Sequence, residues 1–336
     1  MPRHFDTLLI NDPFGDPGLY VDLVFERRAL LFDLGDLSRL VPRKLLRVSE
    51  IFVTHRHMDH FAGFDRLLRL LLGREKTVGI YGPRGLIDAI EHKLRAYSWN
   101  LIEGFESNLV FRATEMDTGG CLTSAQFSSR TRFERSDAEA WPSEEGILLQ
   151  EPGLQVRAAI LDHGETVLGF ALEERAHINV WRNKVEAMGL SIGPWLRAFK
   201  EAVIRGELDE SLIQVAWREP RAGKAASFPL GYLKNEIMKI TSGRKIAYVV
   251  DCAFSIANVE QIVRLAKHAD ILFIEATFLE ADALLAKARQ HLTARQAGTI
   301  ARLAAVKQLV TLHYSPRYKQ RGHQLAEEAQ IAFVNG

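Results

Sequence analysis

Short apolar runs broken by Asp, Pro and Gly open the chain. Asp6-Thr-Leu-Leu-Ile-Asn11, Tyr20-Val-Asp-Leu-Val-Phe25 and Ala29-Leu-Leu-Phe-Asp33 each have the length and composition of a strand. Asp36–Leu46 places apolar residues at roughly helical spacing, interrupted at Pro42. Ile51-Phe-Val53 reads as a short buried strand, and Phe61–Leu72 as an amphipathic helix. A strand at Thr77–Tyr81, a Gly82-Pro83 turn and a helix at Leu86–Tyr97 follow. Towards the C-terminus, strands at Ala247–Val250, Ile271–Ile274 and Leu309–Leu312 alternate with helical patterns at Ala257–His268, Leu279–Ala288 and Ala294–Ala304. Strands alternating with helices predict a layered α/β domain. Arg175–Asp209 breaks that order. It is helix-like and punctuated by Gly189, Gly193-Pro194 and Gly206, and it reads as a small helical insertion within one domain spanning residues 1–336.

Composition narrows the class. With 336 residues, 47% hydrophobic and 25% charged, the chain is neither disordered, collagenous nor a disulfide framework. No apolar run approaches the roughly 18 residues that span a bilayer. The N-terminus lacks the basic-then-apolar pattern of a secretory leader. Nothing pairs Cys121 with Cys252. A cytoplasmic protein with no membrane partner is the expectation.

The strongest chemical signal is Thr54-His55-Arg56-His57-Met58-Asp59-His60. An extended chain points residues i and i+2 to one side, so His55 and His57 can converge on one metal ion. Asp59 and His60, where the chain turns towards a helix, can reach a second. Imidazole and carboxylate donors suit Zn²⁺, with Mn²⁺ or Fe as alternatives. Further donors stand where strands end: His163 after Ala158–Asp162, Asp251 after Val250, and His313 after Leu312. Asp251 has two oxygens and can bridge two ions.

The order His-X-His-X-Asp-His, His, Asp, His resembles the metal-site pattern of the metallo-β-lactamase superfamily. Within it the chain is similar to the ribonuclease Z group, endonucleases that trim tRNA precursors at the 3′ side. Leu31-Phe-Asp-Leu-Gly-Asp36, Ile80-Tyr-Gly-Pro-Arg-Gly-Leu86, His163 with Gly169-Phe170, Glu275-Ala-Thr-Phe278, His291-Leu-Thr-Ala294 and His313-Tyr-Ser-Pro-Arg-Tyr318 carry the comparison. The resemblance implies a four-layer αββα sandwich and two zinc ions per chain. His55, His57 and His163 would hold one ion, Asp59, His60 and His313 the other, and Asp251 would bridge. Asp59 would orient or deprotonate the attacking water. His291 would protonate the leaving 3′-oxygen, with Glu275 fixing its tautomer, and Ser315 and Arg317 would touch phosphate. A homodimer is also implied. The chain departs from the group at Asn11-Asp-Pro-Phe-Gly-Asp-Pro-Gly18, which stands where a Gly-rich turn and an Arg-Asn pair are usual. That loop is expected to line the cleft. The competing expectations are a hydrolase of the same fold acting on a cyclic nucleotide or other small phosphodiester, less readily a thioesterase, and a catalytically silent binding member.

The net charge of +1 hides its distribution. Arg175–Arg205 holds six basic residues against two acidic ones, a local +4, with Trp181, Trp195 and Phe199 interleaved. Ile300–His323 holds five basic residues and no acidic one. Gly189-Leu-Ser-Ile-Gly-Pro194 followed by Trp195-Leu-Arg-Ala-Phe-Lys200 is similar to the arm with which the ribonuclease Z group grips the tRNA body. That resemblance implies Arg197 and Lys200 as contacts for the RNA body, and basic groups among aromatics suit a phosphate-rich partner.

Overall fold

The apolar runs of the first half pair into a nine-stranded sheet. Its strands Phe5–Leu9, Leu19–Leu23 and Arg28–Phe32 form antiparallel pairs. Arg28–Phe32, Val48–Phe52, Lys76–Pro83 and Leu109–Met116 then run parallel. A six-stranded sheet follows, in which Lys245–Val249, Ile271–Glu275 and Leu309–Leu312 are parallel neighbours. Parallel strands need crossovers, supplied here by helices Ile256–Ala266 and Ala294–Leu303. The computed structural model describes residues 5–24, 26–138, 140–174, 177–218, 226–241 and 243–335.

Three buried apolar clusters define four layers. One packs Phe64, Leu67 and Ile90 of the helices Phe64–Leu71 and Leu86–Arg95 under Leu31, Ile51 and Ile80 of the first sheet. A second joins the two sheets through Phe32, Phe52, Phe170 and Tyr248, whose ring centroids lie 5.1–5.8 Å apart. The third packs Ile262, Ala297 and Leu325 of helices Ile256–Ala266, Ala294–Leu303 and Gly322–Asn335 on the second sheet. Helix, sheet, sheet, helix is the αββα order expected. Asp36–Leu46 contracts to a helix at Pro42–Leu45, because proline lacks the N–H that a longer helix would need there and is tolerated only in the first turn.

Contacts separate the chain into one unit of Met1–Glu173 with Lys245–Gly336 and another of Glu174–Arg244. The second unit extends beyond the expected 175–209 and is not wholly helical. It has its own core of Val185, Leu190, Phe199, Ile213, Leu230 and Leu233. Strand His177–Val180 pairs with Met238–Thr241, and Leu212–Val215 with Ala226–Pro229. The first pairing joins segments far apart in sequence, which local periodicity does not register. Arg175, the expected start of the insertion, lies outside the described residues.

Candidate metal centre

Parallel strands deliver the chemistry to one edge of each sheet. Val48–Phe52 ends just before Thr54 and His55, and the adjacent strand Arg28–Phe32 ends at Asp33. In the second sheet Lys245–Val249 leads to Asp251, Ile271–Glu275 ends on Glu275, and Leu309–Leu312 leads to His313. Asp33, Asp251 and His313 have φ of 60°, 53° and 57°. Non-glycine residues rarely occupy that region, and strain of this kind persists where surrounding contacts over-determine it.

The predicted donors converge. One ligand atom each from His55, His57, His163 and Asp251 lies within 4.8 Å of the others, and the same holds for Asp59, His60 and His313. Asp251 Oδ2 stands 3.4 Å from His55 Nε2, 3.7 Å from His163 Nε2 and 3.3 Å from His60 Nε2, between the two groups. Its Oδ1 is 3.2 Å from His313 Nδ1, while His313 Nε2 is 3.3 Å from Asp59 Oδ2.

Neighbouring groups fix which imidazole nitrogen faces the cluster. His60 Nδ1–H donates to Asp33 Oδ2 at 2.9 Å, leaving Nε2 inward. His163 Nδ1–H donates to the Gln290 carbonyl at 2.7 Å. His57 Nε2–H donates to Glu165 at 2.9 Å, which turns its Nδ1 to within 2.8 Å of His55 Nε2. Asp33 is itself held by the Thr54 amide at 2.7 Å and the Tyr248 hydroxyl at 3.0 Å. Such outer partners set ring orientation and donor strength at metal sites.

These residues fit a divalent cation pair. His60 Nε2 and Asp251 Oδ1 are buried without a hydrogen-bond partner, a costly arrangement for polar atoms unless something else satisfies them. The charges tell the same story. Burial alone would raise the Asp251 carboxyl, yet His313 and His60 hold it well below the usual carboxylate range. Burial would lower His60, yet Asp33 and Asp251 hold it well above the usual imidazole value, and His313 is raised against burial mainly by Asp251. His55 goes the other way, with burial dominating. The cluster thus favours positive charge at its centre.

Beside the cluster, His291 Nδ1–H donates to Glu275 Oε2 at 2.8 Å. Glu275 is fully buried and accepts from the Cys252 amide at 2.7 Å and the Thr277 hydroxyl at 2.5 Å. Its oxygens are therefore occupied by protein donors. Burial would lower His291, but the Glu275 charge and hydrogen bond raise it to about 9, so it carries a proton at neutral pH. His291 opens on a cleft of about 510 Å³ that Asp59, His313, Ser315 and Arg317 also line. A separate cleft of about 510 Å³ is lined by Arg56, His57, His163, Gly164 and Glu165.

No protein-family model matches the sequence. Over 330 residues the chain is 30% identical to the ribonuclease Z of Enterococcus faecalis, covering 95% of this chain and 87% of that one. The chain belongs to the ribonuclease Z family. The ribonuclease Z of Deinococcus radiodurans is 29% identical over 331 residues, covering 97% and 95% of the two chains. Among solved structures, the short form of human tRNase Z aligns with a TM-score of 0.54 at 20% identity, over 94% of this chain and 93% of that one. A metallo-β-lactamase-fold protein of Bacillus subtilis gives 0.54 at 14% identity, over 97% and 92%. The fold is therefore the metallo-β-lactamase sandwich.

The ribonuclease Z resemblance implies the seven candidate donors and the Glu275–His291 pair, and the structure brings all of them together. Arg197 and Lys200 lie on helix Trp195–Ile204 of the second unit, where Arg197 pairs with Glu201 at 2.9 Å. Sequence reasoning passed over Asp33 as a partner of His60, although Phe32-Asp33-Leu34-Gly35 after a strand was its signal. It also passed over Thr54, Tyr248, Glu165 and the Gln290 carbonyl. Tyr248 had no signal, since it lies inside a strand and 215 residues from Asp33. Among the described residues no helix is long and apolar enough to cross a membrane.

Proposed function

We propose that this chain is a metal-dependent phosphodiester hydrolase, an endoribonuclease that cleaves tRNA precursors at the 3′ side. The observation that carries the reading is the hydrogen bond of His291 to the buried Glu275, set in the cleft beside seven converged donors. His55, His57 and His163 would hold one ion, Asp59, His60 and His313 the other, with Asp251 common to both. Zn²⁺ fits these donors best, and Mn²⁺ or Fe would also suit them. When bound, the ions supply Lewis acidity and lower the pKa of water.

The chain's own residues do the rest. Asp59 orients the attacking water and takes its proton, and the water oxygen bonds to phosphorus as the bond to the 3′-oxygen breaks. His291 gives its Nε2 proton to that leaving oxygen, and Glu275 keeps Nδ1 protonated so that Nε2 points to the cleft. Ser315 and Arg317 contact the phosphate. Arg197 and Lys200, in the inserted arm, contact the RNA body, and the working assembly is a homodimer in the cytoplasm.

One feature favours a smaller phosphodiester as the second reading: Asp16 of the departing first loop lines the cleft with a carboxylate, which repels a polyanion. Protein loaded with zinc or manganese, incubated separately with a tRNA precursor and with bis-p-nitrophenyl phosphate, decides between them. The expected result is cleavage of both. Turnover of the small ester alone would establish the second reading.

A further inference from the structure

The cleft that holds His291 has a mixed lining. Asp59, His291 and His313 share it with Asp16, Phe14, Phe278, Leu285, Arg289 and Pro316. The Phe278 and His291 rings are neighbours, with centroids 6.1 Å apart. Phe14 comes from the loop that departs from the family. Its ring is only half-buried and is held edge-on against Tyr314, with centroids 5.4 Å apart at 84°. The carbon that a side chain at Gly322 would add comes within 2.7 Å of the Phe14 ring, so a residue without a side chain lets the ring sit there. Arg289 is exposed on the same cleft. A volume near 510 Å³ lies within the usual range for a small-ligand pocket.

We infer that this cleft contains a base-stacking slot, in which Phe14 stacks on the unpaired base of the nucleoside whose 3′-oxygen leaves and Arg289 faces its phosphate. This rests on the ribonuclease reading above. The side of the bond follows from His291: the group that receives its proton must lie in the cleft onto which His291 opens. The occupant follows from complementarity. An aromatic ring offers a sequence-tolerant face to any base, and a cation beside it suits a phosphodiester but not an apolar ligand. Such a slot would let the first loop select unstacked single-stranded ends without an Arg-Asn pair.

The test compares two precursor RNAs, one with an intact base and one abasic at that nucleotide, on the metal-loaded full chain and on Phe14→Leu. Leucine keeps apolar packing against Tyr314 and removes the π-face. The intact RNA should lose roughly 5- to 150-fold in kcat/KM on Phe14→Leu, the range for one stacked base. On Phe14→Leu the preference for intact over abasic RNA should collapse towards one, and Phe14→Trp should restore it. A 2-aminopurine at the same position should be quenched on binding to the wild-type chain and markedly less on Phe14→Leu. An unchanged preference, or equal quenching, would overturn the slot while leaving the ribonuclease reading intact. Failure of the wild-type chain to cleave either RNA while it hydrolyses bis-p-nitrophenyl phosphate would overturn both.

Discussion

His57 and His60 are three residues apart and are held by different partners. His60 and its partner Asp33 are both fully buried, and Thr54 and Tyr248 brace Asp33 in turn. The His57 side chain is 50% exposed, and its partner Glu165 is 35% exposed. In the dry interior the Asp33–His60 bond has no competition from water, and the network polarises along its length. At the surface the Glu165–His57 bond competes with water and is screened by salt. The proposed ion at the His60 side should therefore be held the more tightly, and a chelator should remove the ion at the His57 side first.

The carboxylate shared by both halves sets the upper bound. Asp251→Asn should abolish binding at both, because one oxygen faces His55, His60 and His163 while the other faces His313. Metal content by atomic absorption should fall from about two ions per chain to none retained through gel filtration, with affinity down by more than about 100-fold. The metal-free variant should also lose about 3–5 kcal/mol, because buried imidazolium groups lose their counter-charge. Unfolding by denaturant measures that loss. Retention of one ion would show that the halves are independent.

Asp33→Asn comes next. The amide keeps an acceptor for Thr54 but loses the charge that holds the His60 ring, so affinity at that half should fall by about 100-fold, near the upper end for outer partners. Chelator competition followed at equilibrium reads it. Loss at the His57 half instead would reverse the pairing of supports with ions.

Local sequence carried more of one half than of the other. The dense run His55–His60 and the isolated His163, Asp251 and His313 all ended where strands end, a position legible from apolar runs alone. The supports were legible only where they lie near a motif, as Asp33 does. Glu165, two residues beyond His163, reads as an ordinary loop acid, because a hydrogen bond to a residue more than a hundred positions earlier has no local signature. The fold divides the same way. Parallel strands of four or five apolar residues were visible, whereas the pairing of His177–Val180 with Met238–Thr241 in the second unit depends on a partner distant in sequence and was not.

Glu165 supplies the most sensitive test of the comparison because it predicts a small effect. The Glu165 carboxylate accepts one hydrogen bond from a half-exposed ring, and water can replace it. Glu165→Ala should then cost about 10-fold in affinity at the His57 half, the lower end for outer partners, and Glu165→Gln less, since its amide oxygen still accepts. With cobalt in place of zinc, the visible spectrum should change for one of the two ions while the other keeps its band. The effect should shrink in Glu165→Gln and be largest at low salt, because Gln restores the hydrogen bond but not the charge. If Glu165→Ala matched Asp33→Asn in magnitude, burial would not be what separates the halves. The rigidity of the His163 turn, which places Glu165 and the Gln290 contact together, would then have to carry the difference.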